Sequence, residues 1–395
     1  MTTACPVRKL EPDDVPIGPD LERIEDASGV RWVVRSFPIA RQILRAPDGT
    51  QQAGFGAGGI NRSKMRPPIL YQEGSQHRAQ RRAAARFFAP AVIEGYQPMI
   101  AGLSDTLLTR LRVDKAVDLS RLSMQLAVQV TGRVVGLTNS SVRGMSSRLG
   151  TFFQGDPLAR ERSPAGLLRA LRTTGALLGF YRLDVKPAIR ARRTHPSPDV
   201  ISQLLQQDFS DLEILTEALT YAAAGMATTR EFVTVAAWHL LDEPDLRARY
   251  LAAERAEREA ILHEILRLEP VVGELRRVSR APITVQTEAG PMTIAPGEAI
   301  ELHLRRTNSD PHVVGENPDG LCPGRALPTA VPAVMLSFGD GHHRCPGGPL
   351  AIMETDIFLH RLLAHDVIAK GPPRVRWNPV SQGYDLDRFM VRLRG

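Results

Sequence analysis

Between Ser210 and Pro244 the chain carries no proline, and the run opens on Ser210-Asp211-Leu212-Glu213, the pattern of a capping box that closes off a helix N-terminus. A helix over about 33 residues, at about 1.5 Å rise per residue, is roughly 50 Å long, so it must cross the whole domain and everything else must be arranged around it. Helical patterns also cover Ser75 to about Leu111 and on to about Val135, residues 251–268, and Pro349 to about Ala364. Strand patterns are few. Residues 30–46 read as a short β-branched and aromatic strand running into a helix, and 277–305 alternates between turn signals as a small sheet would. The stretch with Gly54, Gly56, Gly58, Gly59, Pro67 and Pro68 reads as a loop, and so does 150–165, whose two aromatics suit a lid. The fold class expected is mainly α with small β-sheets. With no linker or repeat in sight, 1–29 is expected to be an N-terminal extension and 30–395 a single domain.

Composition narrows the setting. At 43% hydrophobic and 24% charged, the chain can bury a sizeable core without covalent staples. Its three cysteines, Cys5, Cys322 and Cys345, suggest neither a disulfide framework nor a metal-spaced cluster, which points to a reducing compartment. The N-terminus lacks an apolar signal region, so a cytoplasmic protein with no membrane association is expected. The net charge of +7, from 50 Lys+Arg against 43 Asp+Glu, is spread along the chain without interleaved aromatics. That argues against a nucleic-acid partner; a solvated basic surface accounts for the charge, and a basic face that receives an acidic protein is the functional alternative.

The residues with most chemical content are Phe338-Gly339-Asp340-Gly341-His342-His343-Arg344-Cys345-Pro346-Gly347. They fill every specified position of F-G-x-G-x-H-x-C-x-G. Glycines there permit positive φ and close approach of backbone to a flat ring, and a helix starting just beyond Cys345 favours its thiolate. The segment resembles the haem-binding loop of the cytochromes P450, and the resemblance runs from about residue 30 to the C-terminus. It implies a triangular helical prism around a buried haem b (iron protoporphyrin IX), with Cys345 as the iron's axial ligand and Phe338, Gly339, His343 and Gly347 against the cofactor. A thiolate ligand pushes electron density onto iron and promotes O–O cleavage.

Further segments carry the same resemblance. Glu264 and Arg267 match the family's E-x-x-R helix, whose third partner is expected to be Arg325. His77 and Arg81 match its propionate-binding H-x-x-x-R, with Arg277 as a third propionate partner for which Arg276 and Arg280 compete. Two buried carboxylates need such cations. Ala224-Gly225-Met226-Ala227-Thr228-Thr229 resembles the family's kinked segment in the long helix, where small residues at 224 and 225 admit oxygen and substrate and the Thr228 hydroxyl hydrogen-bonds dioxygen. This chain departs from the family at Ala227, where an acid usually stands, leaving Glu231 as the candidate proton source one turn on. It departs again at Ile352, the place of an arginine, while Leu350, Ala351 and Glu354 match. Asn308-Ser309-Asp310-Pro311 stands for the more usual N-R-D-P.

The implied activity is a monooxygenase, of the kind found in secondary metabolism, that inserts one oxygen atom of O2 into a small organic substrate by hydroxylation, epoxidation or demethylation. Electrons would come from a separate ferredoxin and ferredoxin reductase. The alternatives are a peroxide-driven or nitric-oxide-reducing haem-thiolate enzyme, which Ala227 would suit, and a non-catalytic haem or small-molecule binding protein.

Overall fold

The computed structural model describes residues 6–10, 18–27, 29–47, 49–54, 65–154 and 164–395. The glycines 56, 58 and 59 of the expected glycine- and proline-bearing loop lie outside them. The chain divides into two compact units, one of residues 1–55, 111–117 and 232–395, the other of 56–110 and 118–231.

The first unit is organised by a five-stranded sheet of β1 (Leu21–Asp26), β2 (Gly29–Val34), β3 (Thr50–Gln52), β4 (Glu274–Ser279) and β5 (Ala299–His303), in the order β1-β2-β5-β4-β3. β2 and β5 run parallel, with Arg31 opposite Ala299 and Val34 opposite Leu302; the other pairs are antiparallel. The strand-then-helix pattern at 30–46 becomes β2 followed by the helix Phe37–Arg45. That helix buries Phe37, Ile39, Ala40, Ile43 and Leu44, the spacing of a single apolar stripe. The stripe packs in a core with Trp32, Val34, Ile300, Leu302, Met335 and Leu336, so the residues just ahead of the cysteine loop are themselves core. The alternating region 277–305 splits: its outer parts join the main sheet, whereas Ile283–Thr287 and Gly290–Ile294 form a separate hairpin.

The second unit is helical. Leu119–Val135 is its buried axis, capped by the Asp118 carboxylate and ended by Gly136 at φ +100°. The expected loop at 150–165 is corrected in part: Val142–Gln154 is a helix that carries both aromatics, and only 155–163 lie outside the described residues. The signal for its N-terminal side was present in Met145 and Leu149, four apart and buried.

The long proline-free run is helical throughout, as Asp211–Ala222, a π-helical turn at Ala223–Ala227, and Thr228–Asp242. Its capping box is complete, with Ser210 N–H donating to Glu213 Oε2 at 2.9 Å and Glu213 N–H to Ser210 Oγ at 3.4 Å. No described helix is long and apolar enough to cross a membrane.

One cysteine reading is overturned: Cys322 is disulfide-bonded. The physical reason is a pairing of distant segments that spacing does not reveal. Val7 forms an antiparallel bridge with Gly320, and Leu321 N–H donates to Pro6 O at 2.7 Å, which lays the N-terminal segment beside Cys322.

Ser210→Ala removes half of the capping box, and the expected loss is about 1 kcal/mol of unfolding free energy, measured by chemical denaturation.

Candidate active site

In the first unit the cysteine loop is closed on itself. Cys345 N–H donates to Phe338 O at 2.8 Å and Gly339 N–H to Leu336 O at 2.7 Å. Gly339 and Gly341 both sit at φ +66°, and a Cβ on Gly341 would stand 2.0 Å from Leu44 O, so position 341 excludes any side chain. Between them Asp340 ties the loop to the helix Phe37–Arg45: it accepts from Gly341 N–H at 2.7 Å, Arg41 Nε at 2.9 Å and Arg45 Nε at 3.0 Å. Partial burial pushes this carboxyl up, but the Gly341 N–H and the two guanidinium groups outweigh it and hold it below the usual carboxylate range. Asp340 was not anticipated; an acid among so many basic neighbours was its only trace in the sequence.

Cys345 is an exposed thiol outside any disulfide. The helix Gly348–Ala364 begins three residues later with Gly347 as its N-cap, so its unsatisfied N–H groups lie at the cysteine end of the helix. That polarity favours a thiolate. The Phe338 ring packs beneath this turn, where a Cβ on Gly348 would lie 3.0 Å from it. His343 ends the short helical turn Gly341–His343, its ring 4.7 Å from that of His342. Of the three competing arginines, Arg277 is buried on β4 and donates to the Gln52 side chain and to Arg276 O. Arg276 is paired with Glu274, and Arg280 is exposed.

Behind the loop, Glu264 and Arg267 form a two-point ion pair at 2.8 Å and 2.8 Å. Arg325 joins it, Nε to Glu264 Oε1 at 3.1 Å, and Cys322 N–H donates to the same oxygen at 3.1 Å. The remaining donors of Arg267 reach the carbonyls of Asn308, Pro318 and Gly320. Asn308 then passes the order forward: its Oδ1 accepts from Leu336 N–H at 2.9 Å and its Nδ2 donates to Ser337 Oγ at 2.8 Å. Asp310 Oδ2 accepts from Phe37 N–H at 2.8 Å.

In the second unit His77 is buried and Arg81 half-buried, one turn apart on the helix Gly74–Ala85. Ala224 and Gly225 lie within the π turn; a Cβ on Gly225 would be 2.7 Å from Thr131 Oγ1, so glycine lets the two helices touch. Thr228, the first residue after the turn, donates its hydroxyl to Ala224 O. Glu231 is buried and ion-paired with Arg230.

Residues 258–365 match the family profile described as Cytochrome P450. A biotin biosynthesis cytochrome P450 of Bacillus subtilis is 29% identical over 75% of this chain and 72% of its own length. Cytochrome P450 107B1 of Saccharopolyspora erythraea is 26% identical over 92% of this chain and 83% of its own. The fold agrees with substrate-free CYP109E1 of Bacillus megaterium, with TM-score 0.76, 21% identity, and coverage of 94% and 95% of the two chains. The chain is thus similar to the cytochromes P450, in sequence over residues 258–365 and in fold over nearly its whole length. It is an oxidoreductase of the monooxygenase kind, and the family's cofactor is haem. The thiolate side fits that group: one exposed thiol, a Gly339 at which a Cβ would meet nothing nearer than 4.0 Å, and a helix N-terminus just beyond the cysteine.

Removing Glu264 or Arg267 leaves the partner's charge buried and uncompensated, a loss of about 3–5 kcal/mol. Glu264→Ala and Arg267→Ala are therefore expected to give little haem-loaded protein, measured as the ratio of haem to protein absorbance after purification.

Proposed function

We propose that this protein inserts one atom of dioxygen into a small organic substrate at a haem b held by Cys345, with electrons delivered in the cytoplasm by a ferredoxin and its reductase. The observation that carries the reading is the exposed Cys345 thiol in its positive-φ glycine loop at a helix N-terminus. When bound, the haem supplies the redox-active iron at which dioxygen is reduced. The chain's own residues do the rest. The N-terminus of the helix Gly348–Ala364 favours the thiolate of Cys345, and Phe338, Gly339 and Gly347 would shape the surface against the ring. His343, Arg277, His77 and Arg81 are assigned to the propionates, and the burial of Arg277 supports that choice over its neighbours.

On the long helix, Gly225 brings the π turn against Thr131, Ala224 is the small residue proposed to admit oxygen and substrate, and Thr228 holds a proton at Oγ1 that is parked on Ala224 O. Glu231 is the nearest acid beyond it. Its pairing with Arg230 stabilises the carboxylate rather than the acid, and so favours a second reading: with Ala227 also lacking a proton, the enzyme draws on peroxide, which brings both protons and electrons. The electron donor is proposed to meet the basic residues around the loop, Arg344 foremost. Substrate is proposed to contact the stretch 50–75, the segment 150–185, the helix around Tyr221–Thr229 and the residues after Pro270.

Two measurements follow. The ferrous carbon-monoxide complex should show the red-shifted Soret band of thiolate ligation, and Cys345→Ala should lose it; a variant that keeps the band ends the assignment. Glu231→Gln should slow dioxygen-driven turnover by about 10²-fold or more if Glu231 relays protons, with substrate-induced spectral shifts unchanged. Unaltered dioxygen turnover in that variant, together with efficient peroxide-driven turnover in the wild type, would establish the second reading.

A further inference from the structure

Two acids on the helix Asp211–Ala222 grip the segment that leads into the His77 helix. Glu213 Oε1 accepts from Arg66 N–H at 3.1 Å. One turn on, Glu217 Oε1 accepts from Ile69 N–H at 2.9 Å and from Gln80 Nε2 at 2.6 Å. Their surroundings are opposite. Glu213 belongs to the exposed capping box, and the Ser210 N–H first of all holds it below the usual carboxylate range. Glu217 is 1% exposed, and its second oxygen is buried with no hydrogen-bond partner among the described residues. The gripped segment is compact: Ile69–Tyr71 is one helical turn with Ile69 and Tyr71 buried, and Gln72 Nε2 donates to Pro67 O at 2.7 Å.

We propose that Glu217 is the positioning residue of segment 65–72, its neutral carboxyl holding the segment against the long helix and its ionisation releasing it. The consequence for substrate entry rests on the reading above that this stretch borders the substrate.

The charged and titratable groups around Glu217 do not stabilise its anion. Arg66 lies over the Phe209 ring, 4.1 Å from its centroid, and Tyr71 is buried on the segment itself. On the helix Gly74–Ala85 stand His77 and Arg81, and on its own helix Glu213 and Tyr221; Arg81 and Glu217 both act on Tyr221, in opposite senses. The turn Tyr181–Val185, packed against the same helix, offers Arg182 and Asp184, the latter held by Arg148 at 2.6 Å. Leu119–Val135 offers Arg121 and Arg133. None of them donates to the second oxygen. Burial therefore pushes Glu217 up to about 7, against the smaller pull of Gln80 and Ile69.

The sign follows. A carboxyl raised above its ordinary value makes the closed state bind a proton that the open state gives up. The grip is fullest below the ordinary carboxylate range and weakens as pH rises through about 7. From those two limits the opening equilibrium grows about tenfold between about pH 6 and about pH 8 and levels off above.

The test is amide hydrogen exchange on the haem-loaded enzyme, following a peptide that spans Ile69, in wild type and Glu217→Gln at matched pH so that intrinsic exchange cancels. The wild-type to Gln ratio of opening should rise about tenfold over that interval, while a peptide from Leu119–Val135 stays constant. A flat ratio overturns the proposal. Should the Gln variant fold poorly, Gln80→Ala serves instead: losing a donor that favours the anion should move the wild-type midpoint to higher pH, and an unmoved midpoint again overturns it. The binding rate of phenylimidazole, followed by haem absorbance, is measured in parallel. A pH-dependent exchange ratio with a pH-independent binding rate keeps the grip and removes the segment from the substrate's path.

Discussion

Arg267 has five N–H donors, no contact with solvent, and five acceptors: two oxygens of Glu264 and the carbonyls of Asn308, Pro318 and Gly320. Every arm of the planar fork is used, which a lysine could not reproduce. Three of those acceptors are backbone, so the guanidinium shapes the chain between 308 and 320. Asn308 then carries that shape to Leu336 and Ser337, one residue before the cysteine loop. The position of Cys345 is thus set from behind by an ion pair and from the side by Asp340, which borrows two arginines from the helix Phe37–Arg45. Both anchors hold the loop through its backbone.

What the sequence made legible was local. The capping box, the cysteine loop, the helix behind it and the Glu264–Arg267–Arg325 constellation are patterns of neighbouring residues, or of motifs whose partners are themselves motifs. What escaped it depends on partners far along the chain. Glu217 belongs to none of the motifs, and the approach of Ile69 and Gln80, about 140 residues away, is what buries it. The Cys322 disulfide is hidden in the same way behind the pairing of Val7 with Gly320. The helix Val142–Gln154 was missed for a different reason: its glycines and polar residues obscure the stripe to which Met145 and Leu149 belong.

The electrostatics of the molecule are likewise local rather than global. A net charge of +7 says little when acids such as Asp340 and Glu264 are each committed to two guanidinium groups. Glu213 and Glu217 show the point on one helix. Four residues apart, one is held below the usual carboxylate range by the N–H groups of a helix N-terminus, the other is raised above it by burial.

The π turn at Ala223–Ala227 inserts one residue more than an α-helical turn would need. One extra residue is a rotation of about 100°. The two halves of the long helix are therefore out of phase, and residues counted off at helical spacing on one side do not share a face with those counted from the other. Evolution can alter the stripe that Glu213 and Glu217 present without disturbing the one that begins at Thr228. The helix works as two separately addressable surfaces on one rod.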